Sequence, residues 1–207
     1  MRDSKGFDLW AEEYDKNVKI IEETGKYPFA GYKACLNKIY NSILETPNAK
    51  VLDIGFGTAP ISSKLYLQGY TIFGQDFSQK MLEIAQNKMP NAHLFLKDFS
   101  EGLDTKLKEN KYNFIIATYC LHHILDNNQR IEFLKELINQ LTPTGKIFIG
   151  DVIFHNYQER DECRLDAGKI WDSEENYIIV DELKEAFPNL IFEKISYCAG
   201  VIEIINH

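Results

Sequence analysis

Asp53, Gly55, Gly57 and Asp76 combine residue types and spacing that could do chemistry. In the run Val51-Leu52-Asp53-Ile54-Gly55-Phe56-Gly57-Thr58, a short apolar strand ends in a carboxylate, and two glycines then turn the chain into a helix. Such a turn sets bare backbone and an acid at the carboxyl end of a strand, where open α/β sheets bind ligands. Glycine suits the turn because a side chain would block a cofactor's approach, and because glycine tolerates positive φ. Asp76 follows nineteen residues after Gly57, closing a second strand expected over residues 70–75. An acid there can grip the two hydroxyls of a ribose. Together the two acids point to a nucleoside cofactor.

The elements that must position these residues alternate along the chain. A polar, aromatic-studded opening (residues 1–29) leads into a helix over 30–44, where Leu36, Ile39, Tyr40 and Ile43 recur at helical spacing. Strand one is expected over 50–54 and a helix over 59–67, with Pro60 in its first turn. Strand two is followed by a helix over 79–88, with Ser78 as N-cap and Pro90 beyond its end. Strand three spans 92–97, and the apolar run 112–118 suits a central strand buried on both faces. Asp126 opens a helix through residue 141, a turn at 143–145 follows, and strand five spans 146–150. Strands and helices at this spacing imply parallel βαβ units with right-handed crossovers. After Asp151 the pattern loosens into a mixed segment with one or two short helices, then a helix capped by Asp181. Two last strands, 190–197 and 200–205, are joined by a tight turn.

Composition bounds the partners. A chain of 207 residues with 44% hydrophobic content suits one domain with a single core. Its net charge of −8 and lack of any Lys/Arg cluster argue against an extended phosphate-binding surface, and so against nucleic acid. Cys35, Cys120, Cys163 and Cys198 are widely spaced and form no CxxC pair, which fits reduced thiols in a cytoplasmic protein and no metal site. No signal-like h-region opens the chain, and no run approaches the ~18 apolar residues of a membrane span.

With these residues laid out, the chain resembles the class I S-adenosylmethionine-dependent methyltransferases, in particular the small-molecule members. Five blocks fall in the family's order: VLDIGFGT (51–58), GQDFSQKMLEIA (74–85), LKDF (96–99), IIATYCLHHI (115–124) and LTPTGKIFI (141–149). The opening FDLWAEEYD (7–15) is similar to the segment that lies over the cofactor. The resemblance implies a Rossmann-like α/β sheet of seven strands, mostly parallel with an antiparallel last strand, and helices on both faces. It implies one methyltransferase domain over 1–207, with residues 1–45 as an N-terminal helical cap segment and 151–180 as a substrate lid.

Carried over by position, Asp53, Gly55 and Gly57 would line the methionine end of S-adenosylmethionine, and Asp76 would accept both ribose hydroxyls. Phe77 and Met81 would flank the adenine, with Asp98 and the Phe99 backbone at its polar edge. Thr118 and Tyr119 would sit near the transferring methyl, and Tyr14 would close over the cofactor. The chain departs from the family in having Ala59-Pro60 where a third glycine is common, and Thr144-Gly145 in place of a double glycine.

The activated methyl needs alignment with a nucleophile more than a catalytic triad. Proton removal, where required, would fall to His122, His123 or Asp151, the candidate catalytic residues; a packed, hydrogen-bonded histidine is the plainer role for either imidazole. Phe154, His155, Tyr157, Trp171 and Tyr177 could wall the acceptor pocket or fill a satellite core. Likewise Asp53 and Asp98 could simply cap turns. The leading expectation is methyl transfer to a small-molecule acceptor by a monomer or homodimer. A non-catalytic cofactor sensor or interaction protein is the alternative. An NAD(P)-dependent oxidoreductase fits less well, because the third glycine is missing and Asp53 would repel a diphosphate.

Overall fold

A computed structural model describes residues 24–205. Strands β1 (Lys50–Ile54), β2 (Thr71–Asp76), β3 (His93–Leu96), β4 (Tyr112–Thr118), β5 (Leu141–Phe154), β6 (Ile178–Ile179), β7 (Ile191–Lys194) and β8 (Ala199–Ile205) form one sheet. Its order is β3-β2-β1-β4-β5-β8-β7, with the two-residue β6 pairing off β5. Strands β1 to β5 pair in parallel, while β8 runs antiparallel between β5 and β7. The expected seven-stranded path is present, and β6 is a short addition to it.

Each central strand is buried on both faces, with successive residues entering opposite cores. Val51, Phe114, Ile116 and Phe148 face one core, built with Cys35, Ile39 and Ile43 of helix α1 (Tyr32–Leu44), Leu65 of α2 (Ser62–Leu67), and Met81 and Ala85 of α3 (Gln79–Lys88). Leu52, Ile115, Ile147 and Ile149 face the other. There they meet Leu107 of α4 (Thr105–Lys108), Phe133, Leu134 and Leu137 of α5 (Asn127–Ile138), and Leu183 of α7 (Val180–Ala186). Helix α6 (Tyr157–Ala167) belongs to the segment between β5 and β6. Among the described residues, no helix is long and apolar enough to cross a membrane.

Several boundaries differ from expectation for identifiable reasons. Helix α2 begins at Ser62, not residue 59, because Ala59 is left-handed at φ 58° and leaves Pro60 outside the helix. Helix α5 stops at Ile138, and β5 already starts at Leu141. Tyr112 pairs with Leu141 and then, across a register shift, Phe114 pairs with Lys146, so residues 143–145 bulge within a strand instead of closing a turn. At its other end β5 continues past Asp151, because β8 and β6 pair with it as far as Val152 and Phe154. Asp181 lies in the first turn of α7, not at its cap; Ile179 holds that place with no side-chain bond. Strand β7 is shorter than the expected 190–197, and β8 begins one residue early at Ala199.

The chain builds β1, β2 and β3 outward on one side, then returns to build β4 and β5 on the other. The carboxyl ends of β1 and β4 therefore diverge around a crevice, which is where ligands bind in open α/β sheets.

Candidate functional site

The crevice is floored by the turn after β1. Gly55 and Gly57 are left-handed, at φ 60° and 51°. A Cβ on Gly55 would stand 2.7 Å from that of Cys120, whereas one on Gly57 would meet nothing within 4 Å and would instead project into open space. The first glycine thus permits close packing and the second leaves the floor bare. Lys88 fastens the turn from beneath, donating to the Thr58 carbonyl at 2.6 Å.

Asp76 closes β2 at the rim. Its Oδ2 accepts the Gly57 N–H at 2.8 Å and its Oδ1 the Ser78 N–H at 2.9 Å, so one carboxylate ties the glycine turn to the start of α3. A carboxylate oxygen can accept more than one hydrogen bond, so a rim acid of this kind can also receive a ligand hydroxyl. Of the residues carried over as cofactor contacts, Gly55, Gly57, Asp76, Phe77, Met81, Phe99, Thr118 and Tyr119 line this crevice. Tyr32, Cys120 and His123 line it too. Tyr119 is held at φ 52°, its N–H donating to Gly150 at 2.8 Å while its ring packs 4.7 Å from Tyr32.

Asp53 lies one layer below. It is 2% exposed, and its Oδ2 accepts the Ser62 hydroxyl at 2.6 Å while Oδ1 is buried with no hydrogen-bond partner. Burial pushes its carboxyl up to about 7, with the charge of Asp76 adding and the Ser62 bond opposing. Asp98 sits outside the crevice lining and caps a short 3-10 turn through Ser100 N–H at 2.8 Å. Tyr14 lies outside the described residues.

The residues expected to be catalytic gather at the β4–β5 side. His122 and His123 occupy a 3-10 turn after β4, their rings 4.2 Å apart. Asp151 is fully buried and bonds His122 Nδ1 at 2.5 Å; Glu175 bonds His123 Nδ1 at 2.9 Å. Burial pulls His122 down, but the charge and hydrogen bond of Asp151, aided by Glu175, outweigh it and hold the imidazole above its ordinary pKa. For His123, burial and the neighbouring His122 both act downward and prevail over Glu175. Burial drives the Cys120 thiol and Tyr119 phenol far up, so neither serves as a nucleophile near neutrality.

Two of the residues that build this side carry no sequence signal of their role. Arg130 is fully buried in α5 and donates from Nε to the Leu121 carbonyl at 3.2 Å, and from Nη2 to those of Ile124 (2.9 Å) and Asn176. It thereby ties both ends of the histidine turn to the segment carrying Glu175. Glu175 itself reads as one more surface acid in 151–180, where it faces a cleft of about 230 Å³ shared with Arg160, Arg164, Trp171 and Tyr177. Trp171 and Tyr177 also pack on Tyr27, at 5.1 and 6.0 Å between ring centroids. Phe154, Trp171 and Tyr177 therefore join the core on the α1 side of the sheet and form no separate satellite, whereas His155 and Tyr157 are exposed.

The bare floor at Gly57, the rim carboxylate and the orphaned Asp53 Oδ1 fit a nucleoside bearing an amino-acid tail. Asp76 would hold the ribose and Asp53 would face the tail. Similarity to known proteins agrees with this geometry. The Methyltransferase domain family matches residues 51–145. An uncharacterized methyltransferase of Bacillus cereus (strain 03BB102) is 32% identical over 168 residues, covering 79% of this chain and 73% of its own length. One from Alkaliphilus oremlandii (strain OhILAs) is 26% identical, covering 87% and 80%. The crystal structure of magnesium protoporphyrin IX methyltransferase from Synechocystis PCC 6803 with bound SAH superposes with a TM-score of 0.69 at 15% identity, covering 97% of each chain. Crevice, topology and kinship agree: the chain belongs to the class I S-adenosylmethionine-dependent methyltransferases.

Proposed function

We propose that this enzyme methylates a small-molecule acceptor held between the histidine turn and the 151–180 segment, and that the chain works as one domain with that segment as its lid. The observation that carries the proposal is the position of His123, which lines the cofactor crevice and bonds Glu175 of the lid segment. An acceptor reaching the methyl group from that side meets His122 and His123, with the buried Asp151 behind the His122 ring. The net charge of −8 favours a metabolite over a nucleic acid. The four cysteines are free and buried, which suits a cytoplasmic setting.

When bound, S-adenosylmethionine supplies a methyl group already activated by its sulfonium. The chain's own task is to position, desolvate and deprotonate the acceptor. Alignment of the acceptor atom with the C–S bond is worth roughly 7–11 kcal/mol of barrier. Asp151 fixes the orientation of the His122 ring, and the histidine cluster eases loss of the acceptor's proton. The test is single-turnover transfer from labelled cofactor to a metabolite extract. Labelled product is expected, while complete inertness of a cofactor-binding protein would favour the sensor. Replacing His122 and His123 together by Ala should lower turnover far more than S-adenosylhomocysteine affinity; retained turnover would leave the pair a packing role.

A further inference from the structure

One nitrogen or oxygen from each of His122, His123 and Glu175 lies within 4.8 Å of the others. Hydrogen bonding explains part of this gathering: Glu175 Oε2 pairs with His123 Nδ1 at 2.9 Å, and Asp151 with His122 Nδ1 at 2.5 Å. His122 Nε2 stands 3.8 Å from Glu175 Oε2, an ion-pair separation too long for a hydrogen bond. Two ligands of one tetrahedral zinc-sized ion stand about 3.3 Å apart, given ligand bonds of about 2.0–2.1 Å. The two separations on Glu175 bracket that value. Small side-chain shifts would complete the set.

The surroundings are those of a built ligand set. Asp151 takes one ring nitrogen of His122 and so leaves the other for a ligand, the carboxylate–histidine arrangement that orients metal ligands and raises their basicity. Arg130 fixes the backbone carbonyls on both sides of the turn and that of Asn176, next to Glu175. The Asn176 N–H also donates to the His122 carbonyl at 3.0 Å. The three donors are thereby held by backbone as well as by one another.

We propose that His122, His123 and Glu175 bind one divalent first-row cation of the Zn²⁺ type, beside the methyl-transfer position. Two imidazoles and one carboxylate suit Zn²⁺, Fe²⁺ or Co²⁺ better than Mg²⁺ or Ca²⁺. The proposal rests on reading this end of the crevice as the acceptor chamber, and it names the acceptor class. Three protein ligands leave a position open, suited to a hydroxyl or thiol. Coordination there lowers the acceptor's pKa, and its proton passes to water. The freed lone pair bonds to the methyl carbon as the C–S bond breaks, and that bond's electron pair stays on sulfur, giving S-adenosylhomocysteine.

The test uses the untagged full chain, stripped with EDTA and titrated with Co²⁺ while its visible absorption is followed. One equivalent should bind, with Zn²⁺ displacing it. Glu175→Ala and His122→Ala should each weaken binding at least tenfold, and Asp151→Asn roughly 10–100-fold. S-adenosylhomocysteine affinity, unchanged in Glu175→Ala and His122→Ala, reports that those variants are folded. Co²⁺ binding no tighter to the parent than to folded Glu175→Ala would overturn the proposal. So would transfer to the metabolite extract at an undiminished rate in EDTA, a result that leaves the methyl-transfer reading standing. Failure of the parent to bind S-adenosylhomocysteine would instead remove that reading itself, and the cation's role with it.

Discussion

Replacing Asp76 by Ala should abolish most of the cofactor affinity while leaving the domain folded. Both carboxylate oxygens accept a backbone N–H, from Gly57 at 2.8 Å and Ser78 at 2.9 Å, and a carboxylate oxygen can accept a ribose hydroxyl besides. A hydrogen bond to a charged acceptor contributes about 1.5–3 kcal/mol. Two such bonds come to about 3–6 kcal/mol, or a loss of roughly a hundredfold to ten-thousandfold in affinity. The structural cost is smaller. Gly57 N–H lies on the open crevice, where water replaces the lost oxygen, and Ser78 still caps α3 through its hydroxyl and Met81 N–H at 3.2 Å. We expect about 1–2 kcal/mol of lost stability, within the ~5–15 kcal/mol that domains possess. Calorimetric titration with S-adenosylhomocysteine gives the affinity, and a ligand-free melt gives the stability. A folded Ala variant that binds within threefold of the parent would refute the ribose assignment.

Arg130→Met should cost about 3–5 kcal/mol, since it strands three buried carbonyls, and should lower Tm by roughly 10 °C; an unchanged melt would show that water or a neighbour satisfies them. Asp53 bears on pH. Its folded pKa near 7 lies above the ordinary 3.8, so the folded state keeps a proton that the unfolded chain releases, and stability falls as pH rises from about 4 to about 7. Asp53→Asn removes that penalty, so its stability relative to the parent should improve between pH 5 and pH 8 in urea melts; an equal gap at both pH values would contradict the buried-acid account.

How much of this was legible in the sequence depends on how local each signal is. The bounds of β1, α3 and β4 follow from apolar runs and the Ser78 cap, and they match the structure residue for residue. The crevice residues were legible because the glycine turn and the strand-end acid lie in short ordered blocks. The length of β5 was not, because partners supplied by β8 and β6 set it, beginning 24 residues beyond its own end in the case of Ile178. Arg130 reads as one polar position on an amphipathic helix. Its work appears only when Asn176, 46 residues away, is folded against it. Glu175 is hidden for the same reason. Asp98, in the loop past β3, caps a short turn, a role that position in the sequence does not separate from a ligand's.

The Arg130 guanidinium makes two distant stretches inherit as a unit. A chimera that imports residues 151–180 from a relative, to alter which acceptor is taken, brings a new backbone against an old cation. Unless α5 is exchanged with it, the histidines lose their register with the imported segment. With the 151–180 segment as the lid proposed above, acceptor preference is transplanted as two pieces, not one.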